Sequence, residues 1–334
     1  VTSSALTSTP PRRPFGRVAT VIAATAALVA AGSVTSIVTG AVPEAAAYTF
    51  ALEGWATQGG GTTGGGSASP VTVTTQAALI SNMQASGARV IRVSGTIALP
   101  SGVTKVASNK TIIGVGSGAT ITSGGINVSQ VSNVIIRNIN FKNWNDDAIN
   151  VQYSSRVWID HNNFSNGYDG AVDIKRASDY VTVSWNRVFS HDKSFLLGHS
   201  DDNGGEDRGK LRVTYHHNYF DGSTQRHPRV RFANPVHVYN NYYRASSGYG
   251  VASTVGAGVF VQRNYFENVS KPAVAQTGDS SEGNLKLDGN HLVGSGAPVS
   301  RNPGSVAAIP YSFTLDAAAN VKSIVTANAG TGKI

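Results

Sequence analysis

Seven segments of the chain repeat one pattern, a run of alternating β-branched or aromatic residues followed by asparagine and then an apolar or aromatic side chain. Aligned on that asparagine they read VIIRNINF (Asn138), VWIDHNNF (Asn162), VTVSWNRVF (Asn186), VTYHHNYF (Asn218), VHVYNNYY (Asn241), VFVQRNYF (Asn264) and LKLDGNHL (Asn290), at steps of 24, 24, 32, 23, 23 and 26 residues. The alternation marks strands, and no unit sustains the period of about 3.6 residues that a helix requires. Units this short cannot close a core alone, so they must stack, each strand pairing with its equivalent one turn later. The expected fold is all-β, a single-stranded right-handed parallel β-helix. The recurrent asparagines then stack at a turn, with strands about 4.8 Å apart, and satisfy one another and the turn backbone.

Composition agrees with a turn-rich globular chain: 40% of the 334 residues are apolar, 14% are charged, and 37 are glycine. There is no cysteine, which excludes disulfides, thiolate nucleophiles and cysteine-ligated zinc together. Residues 1–47 combine a basic cluster, an apolar run and Ala45-Ala46-Ala47, the layout of a secretory signal peptide. Arg12-Arg13 with Phe15 resembles a twin-arginine export signal. Residues 48–334 are expected to form one secreted, extracellular β-helical domain. Removing Arg12, Arg13, Arg17 and Glu44 leaves 24 basic and 18 acidic residues, a net charge of +6 that suits an anionic partner. Upstream of the repeats, TTQAALISNMQAS (74–86) predicts a short helix that caps the stack, with Thr75 as its N-cap. The glycine-rich residues 57–70 read as the first loop of the domain, and residues after 310 as an end segment packed on the stack.

The repeat is also a coordinate system for charge. Counted from the preceding reference asparagine, Asp147 falls at +9, Asp169 at +7, Asp173 at +11, Lys193 at +7 and Arg226 at +8, one narrow arc on four successive coils. The three aspartates on adjacent coils repel one another and need a cation. An oxygen-only donor set favours Ca²⁺ over zinc or copper. The next coils bring Lys193, then Arg226 and Arg231, so an acidic patch adjoins a basic one. Such a face suits a uronate polymer, with calcium bridging sugar carboxylates and Lys193 and Arg231 binding others. Neutralising a carboxylate acidifies the proton on its α-carbon, which opens a route to β-elimination. His161, Trp158 and Asp160, like His216 and His217, sit just before the asparagine on another face and read as structural. His199 and the middle arginine of RHPRVR, Arg229, have no assigned chemistry; a structural ion pair is the expectation for Arg229.

VWIDH (157–161), DGAVDIKRASDYVTVSWN (169–186), HDKSFLLGHSD (191–201) and RHPRVR (226–231), with GGGTTGGG and SNKTIIGVG upstream, resemble the signatures of pectate lyases of polysaccharide lyase family 1. The resemblance runs from about residue 50 to the C-terminus. It implies that Arg226 is the base, Arg231 and Lys193 bind substrate, and Asp147, Asp169 and Asp173 hold calcium. Some members carry a further aspartate where this chain has Asn145, leaving three carboxylates with Asp146 as a helper. Arginine ordinarily keeps its proton up to about pH 12, so the resemblance also implies that nearby cations and alkaline pH ease its deprotonation. The expected partner is an acidic polysaccharide, polygalacturonate or pectin, rather than nucleic acid or, after signal removal, a membrane; the chain is expected to act as a monomer. Rival readings are a pectin lyase acting on methyl-esterified polymer, a glycoside hydrolase on the same fold, and a non-catalytic polyuronate-binding β-helix.

Overall fold

Each coil contributes up to three short strands, and every strand hydrogen-bonds in parallel to its equivalents in the coils before and after it. In the computed structural model, whose described residues are 50–334, this produces three parallel sheets of ten, eight and nine strands. Their order follows coil order, the right-handed parallel β-helix expected from the repeat. The expectations for residues 1–47 lie outside the described residues.

Alternation sends one set of side chains into the cylinder in vertical files. Ile136, Ile159, Val183, Tyr215, Val238 and Val261 occupy one register position of the ten-stranded sheet, and all are fully buried. In the nine-stranded sheet, Phe220, Tyr243 and Phe266 stack with ring centroids 4.9 and 4.4 Å apart. Burying one such side chain contributes about 1.5–3 kcal/mol, and these files hold a chain with no disulfide together.

The asparagines form the expected ladder from Asn162 to Asn290. From Asn186 onward each Oδ1 accepts both the backbone N–H and the side-chain amide of the asparagine one coil earlier, as Asn218 does from Asn186 at 3.0 and 3.0 Å. Each Nδ2 also donates to a carbonyl in the preceding coil, Asn218 to Val183 O at 2.9 Å. Asn138 is a correction. Strand register sets Arg137 opposite Asp160, so Ile139 is the equivalent of Asn162, and Ile139 N donates to Asn162 Oδ1 at 3.1 Å. Asn138 instead occupies the preceding position, where the backbone is left-handed (φ 59°), as it is at His161, Trp185, His217 and Asn240. Asparagine tolerates that conformation better than most residues. Asp147 therefore lies one residue nearer the ladder phase than counting from Asn138 indicated.

The predicted helix spans Gln76–Gln84, capped by the Thr75 side chain, which accepts from Ala78 N, and it buries Leu79 and Met83 against the first coils. The glycine-rich stretch lies as a strap on the outer face of the ten-stranded sheet: Thr63 N and Gly64 N donate to Asn133 Oδ1 at 2.7 and 2.8 Å. Gly64 has φ +57° and a Cβ there would sit 2.2 Å from Thr111 Oγ1, so the strap can lie flat only with glycine. The C-terminal segment returns along the stack, Asp316 pairing with His217 and Gly332 N donating to Asn138 Oδ1 at 2.7 Å. Among the described residues no helix is long and apolar enough to cross a membrane.

Candidate active site

The expected arc is the outer face of the eight-stranded sheet together with the turns that enter it. On the strand Val172–Lys175, Val172 and Ile174 point into the core, so Asp173 and Lys175 both face outward. Lys175 Nζ lies 3.1 Å from Asp147 Oδ2 and 3.7 Å from Asp173 Oδ2, joining carboxylates from adjacent coils. Lys175 was not among the residues expected from sequence, although its place two residues after Asp173 in an alternating strand was a usable signal.

This pocket is built for more positive charge than Lys175 supplies. Burial first, and the neighbouring Asp147 charge second, push the Asp173 carboxyl up to about 7, against the pull of Lys175 and Arg226. Burial likewise raises Asp147. One oxygen of Asp173, Oδ1, is buried with no hydrogen-bond partner. Gly170 makes the close approach possible: its N–H donates to Asp147 Oδ1 at 3.1 Å, and a Cβ on it would lie 1.9 Å from Asp173 Oδ1. Gly170→Ala is therefore expected to lower stability by about 1–3 kcal/mol through overpacking. Urea unfolding measures this, and an unchanged midpoint would show that the carboxylates can move apart freely.

Asp169 sits at the mouth of the pocket, 39% exposed at its side chain, and gathers the two cations that follow it: Lys193 Nζ at 3.2 Å and Arg226 Nη1 at 3.5 Å from Oδ1. Five of the six expected site residues thus meet in one cluster. Arg226 holds a left-handed backbone (φ 63°), and its buried Nε has no hydrogen-bond partner. Arg231 stands apart. Its Nε donates to Asp201 Oδ1 at 2.6 Å and its Nη1 to Gly198 O at 3.1 Å. Asp201 comes from the eight-residue excursion in the long step between Asn186 and Asn218, and also accepts from Ser280 Oγ at 2.9 Å.

Asn145 does not join the carboxylates: its side chain bonds Ser101 and accepts from Gly102 N at 2.9 Å, tying down an earlier turn. Asp146 contributes its carbonyl to Asp169 N at 3.1 Å. Arg229 has no carboxylate in its hydrogen-bonding set; it donates to Ser280 Oγ at 2.8 Å and Thr277 O at 3.5 Å, in place of the ion pair expected for it. His199 is exposed near Lys175, Arg176 and Arg231, its pKa lowered by partial burial and then by those cations. His161 is fully buried, hydrogen-bonded to Asp160 at 2.7 Å and stacked on Trp185, as a structural residue should be.

Among the described residues no three His, Asp or Glu side chains converge closely enough to enclose a metal ion by themselves. The donors are nonetheless all oxygen, overcharged, and include the unpartnered Asp173 Oδ1. That fits a hard cation which takes six to eight oxygens and completes its shell with water or ligand carboxylates.

A family model described as pectate lyase matches residues 20–334. The pectate trisaccharide-lyase of Bacillus licheniformis is 35% identical over 304 residues, covering 85% of this chain and 87% of that protein. Pectate lyase A of Emericella nidulans is 35% identical over 268 residues, 77% of this chain and 80% of its own. A pectate lyase from Bacillus sp. N165, solved in complex with trigalacturonate, superposes with a TM-score of 0.78 at 32% identity, over 85% of this chain and 99% of that one. Pectate lyase II of Xanthomonas campestris superposes with a TM-score of 0.73 at 29% identity, over 85% of this chain and 99% of its own. The fold is that of the β-helical polysaccharide lyases. Within that class, the chain belongs to the pectate lyase family.

Proposed function

We propose that the protein is a secreted enzyme that cleaves α-1,4-linked polygalacturonate by calcium-dependent β-elimination, leaving a 4,5-unsaturated end on one fragment. The observation that carries this reading is the overcharged pocket of Asp147 and Asp173 set beside the Asp169–Lys193–Arg226 cluster. The trigalacturonate bound to the Bacillus sp. N165 relative supports the substrate class.

Asp147, Asp169 and Asp173 would hold the calcium. When bound, it supplies positive charge that neutralises a sugar carboxylate and acidifies the proton on the adjacent carbon. Lys193 and Arg231 bind uronate carboxylates, Arg231 as a fork whose orientation Asp201 fixes. Arg226, entering the step in its neutral guanidine form, would accept the proton from the carbon α to the carboxylate and become the guanidinium. The electron pair of that C–H bond forms the new double bond, the bond from the neighbouring carbon to the glycosidic oxygen breaks, and that oxygen leaves with the other fragment, taking up one proton from solvent while the proton removed by Arg226 returns to solvent. No water is consumed. Incubation with polygalacturonate is the test: ultraviolet absorbance of the unsaturated product should grow with calcium and stop on adding a chelator. Reducing ends without absorbance would mean hydrolysis, and lysis that ignores the chelator and prefers methylated polymer would mean a pectin lyase.

Protons and calcium compete for Asp173. Its folded value of about 7 lies above the ordinary 3.8, so the folded chain binds more protons between these limits and loses stability as pH rises through them. Calcium reverses that loss by binding the ionised carboxylates. Thermal unfolding with and without calcium should therefore show a larger gain at pH 8 than at pH 5. Equal gains at both would place the ion elsewhere.

A further inference from the structure

Little in the Arg226 side chain itself fixes where its guanidinium stands: it has one ion pair, at 3.5 Å, to a carboxylate at the pocket mouth, and a buried Nε with no partner. Its place must come from the backbone that carries it, the loop 223–227. Towards the preceding coil, Gln225 N donates to Asp192 O at 3.0 Å, Ser194 N to Gln225 O at 3.0 Å and Phe195 N to Arg226 O at 2.6 Å. Towards the next coil, Gly248 N donates to Thr224 O at 3.0 Å.

The residue that closes this loop is His227, to which the reaction above gives no task. Its side chain is wholly buried and meets Phe220 at an angle, with ring centroids 4.7 Å apart. Both ring nitrogens are engaged. Nδ1 lies 2.8 Å from Tyr249 O in the next coil, and a carbonyl only accepts, so Nδ1 carries the proton. Nε2 is then the acceptor for Ser223 Oγ at 2.8 Å, which joins the first residue of the loop to its last. The main chain of the same residue is held as well: His227 N donates to Gly250 O at 3.2 Å, and Tyr243 Oη donates to His227 O at 3.0 Å. Burial pushes the imidazole down to about 4, so the ring is neutral at neutral and alkaline pH and keeps this one tautomer. Packing against Phe220 would be met equally by leucine. The two directed bonds do something leucine cannot, since one sets the loop's shape and the other its height on the stack.

We infer that His227 is a positioning residue for Arg226: its ring closes the loop on Ser223 and ties it to Tyr249 in the next coil, so that the left-handed backbone at Arg226 presents the guanidinium where the proton is removed. The inference rests on the β-elimination reading above and extends it to a side chain buried away from substrate.

The test is steady-state cleavage of polygalacturonate in calcium by the full protein and by His227→Leu, His227→Asn and Ser223→Ala, each assayed well below its thermal midpoint. Leucine keeps the apolar packing and loses both bonds, whereas asparagine offers an amide N–H where Nδ1–H stands. Misplacing a reacting group by about 1 Å can cost about 100-fold in rate. In His227→Leu, kcat should therefore fall about 30- to 100-fold with KM changed by less than about twofold, and His227→Asn should recover to within about fivefold of the unaltered protein. Ser223→Ala, which removes the loop-closing bond alone, should lower kcat about three- to tenfold, and it decides the matter where leucine prevents folding. In an Arg226→Lys background the His227→Leu change should lower kcat by less than about twofold, because the group that the loop places has gone. If the unaltered protein releases unsaturated product and the folded variants keep their kcat, or lose it equally in the Arg226→Lys background, His227 only fills the core and the positioning role is wrong, while the function stands. If the unaltered protein releases no unsaturated product, the function is wrong and this role falls with it.

Discussion

Arg226→Lys is expected to lower kcat on polygalacturonate by about 10²–10⁴-fold, the range spanned by a positioned general base, while substrate binding falls much less. Arg226 is fixed by its backbone and by one ion pair, and keeps one nitrogen uncommitted. Its backbone is left-handed, its Nη1 lies 3.5 Å from Asp169 Oδ1, and its Nε is buried without a partner. Lysine keeps a positive charge but not the planar fork, so its ammonium cannot meet Asp169 and point a second nitrogen at substrate together. Loss confined to kcat would mark an interaction made in the transition state, whereas a rise in KM alone would mark simple binding. Lysine turning over within a few-fold of arginine would remove Arg226 from the role of base.

The second large effect is on the scaffold. Asn218→Ala should destabilise the protein by about 3–5 kcal/mol, a large part of the 5–15 kcal/mol typical of a domain. Asn218 is fully buried, accepts two hydrogen bonds from Asn186, and donates to Val183 O and Asn241 Oδ1 at 2.9 and 3.0 Å. Alanine leaves these donors and acceptors buried and unpaired and opens a gap in the ladder. Asn290, at the ladder's last rung and half-buried, has no asparagine beyond it, so Asn290→Ala should cost only about 1 kcal/mol. Urea unfolding of both variants measures the difference; equal losses would mean that the ladder does not act as a stacked unit.

How far the sequence reaches can be traced residue by residue. The β-helix was legible because each coil from Asn162 onward repeats both the strand alternation and the ladder asparagine. The three coils before Ser132, with strands at Pro70–Val73, Arg89–Val93 and Lys110–Gly114, lack that asparagine and were not counted, although they pair in the same sheet. The true register at Asn138 is also written in the sequence, since Asn140-Phe141 and Asn163-Phe164 align directly and set Ile139 against Asn162. Phase counting found Asp147, Asp169, Lys193 and Arg226 because coils stack by register, which carries a position in sequence to a position in space. It missed Lys175, whose partner Asp147 is 28 residues earlier, since the count singled out phase rather than strand-face alternation. Asp201 and Ser280 were invisible for another reason. Their bonds to Arg231 and Arg229 depend on how two irregular loops fold over the sheet, and no periodicity encodes that.

If the bond breaks by elimination, with Arg226 removing a proton, no water enters the products. Mass spectrometry of the fragments from a calcium-containing polygalacturonate digest measures this directly. One fragment of each pair should be lighter by one water than its saturated counterpart. Fragments that all carry the full mass of hydrolysed, saturated oligogalacturonates would contradict it.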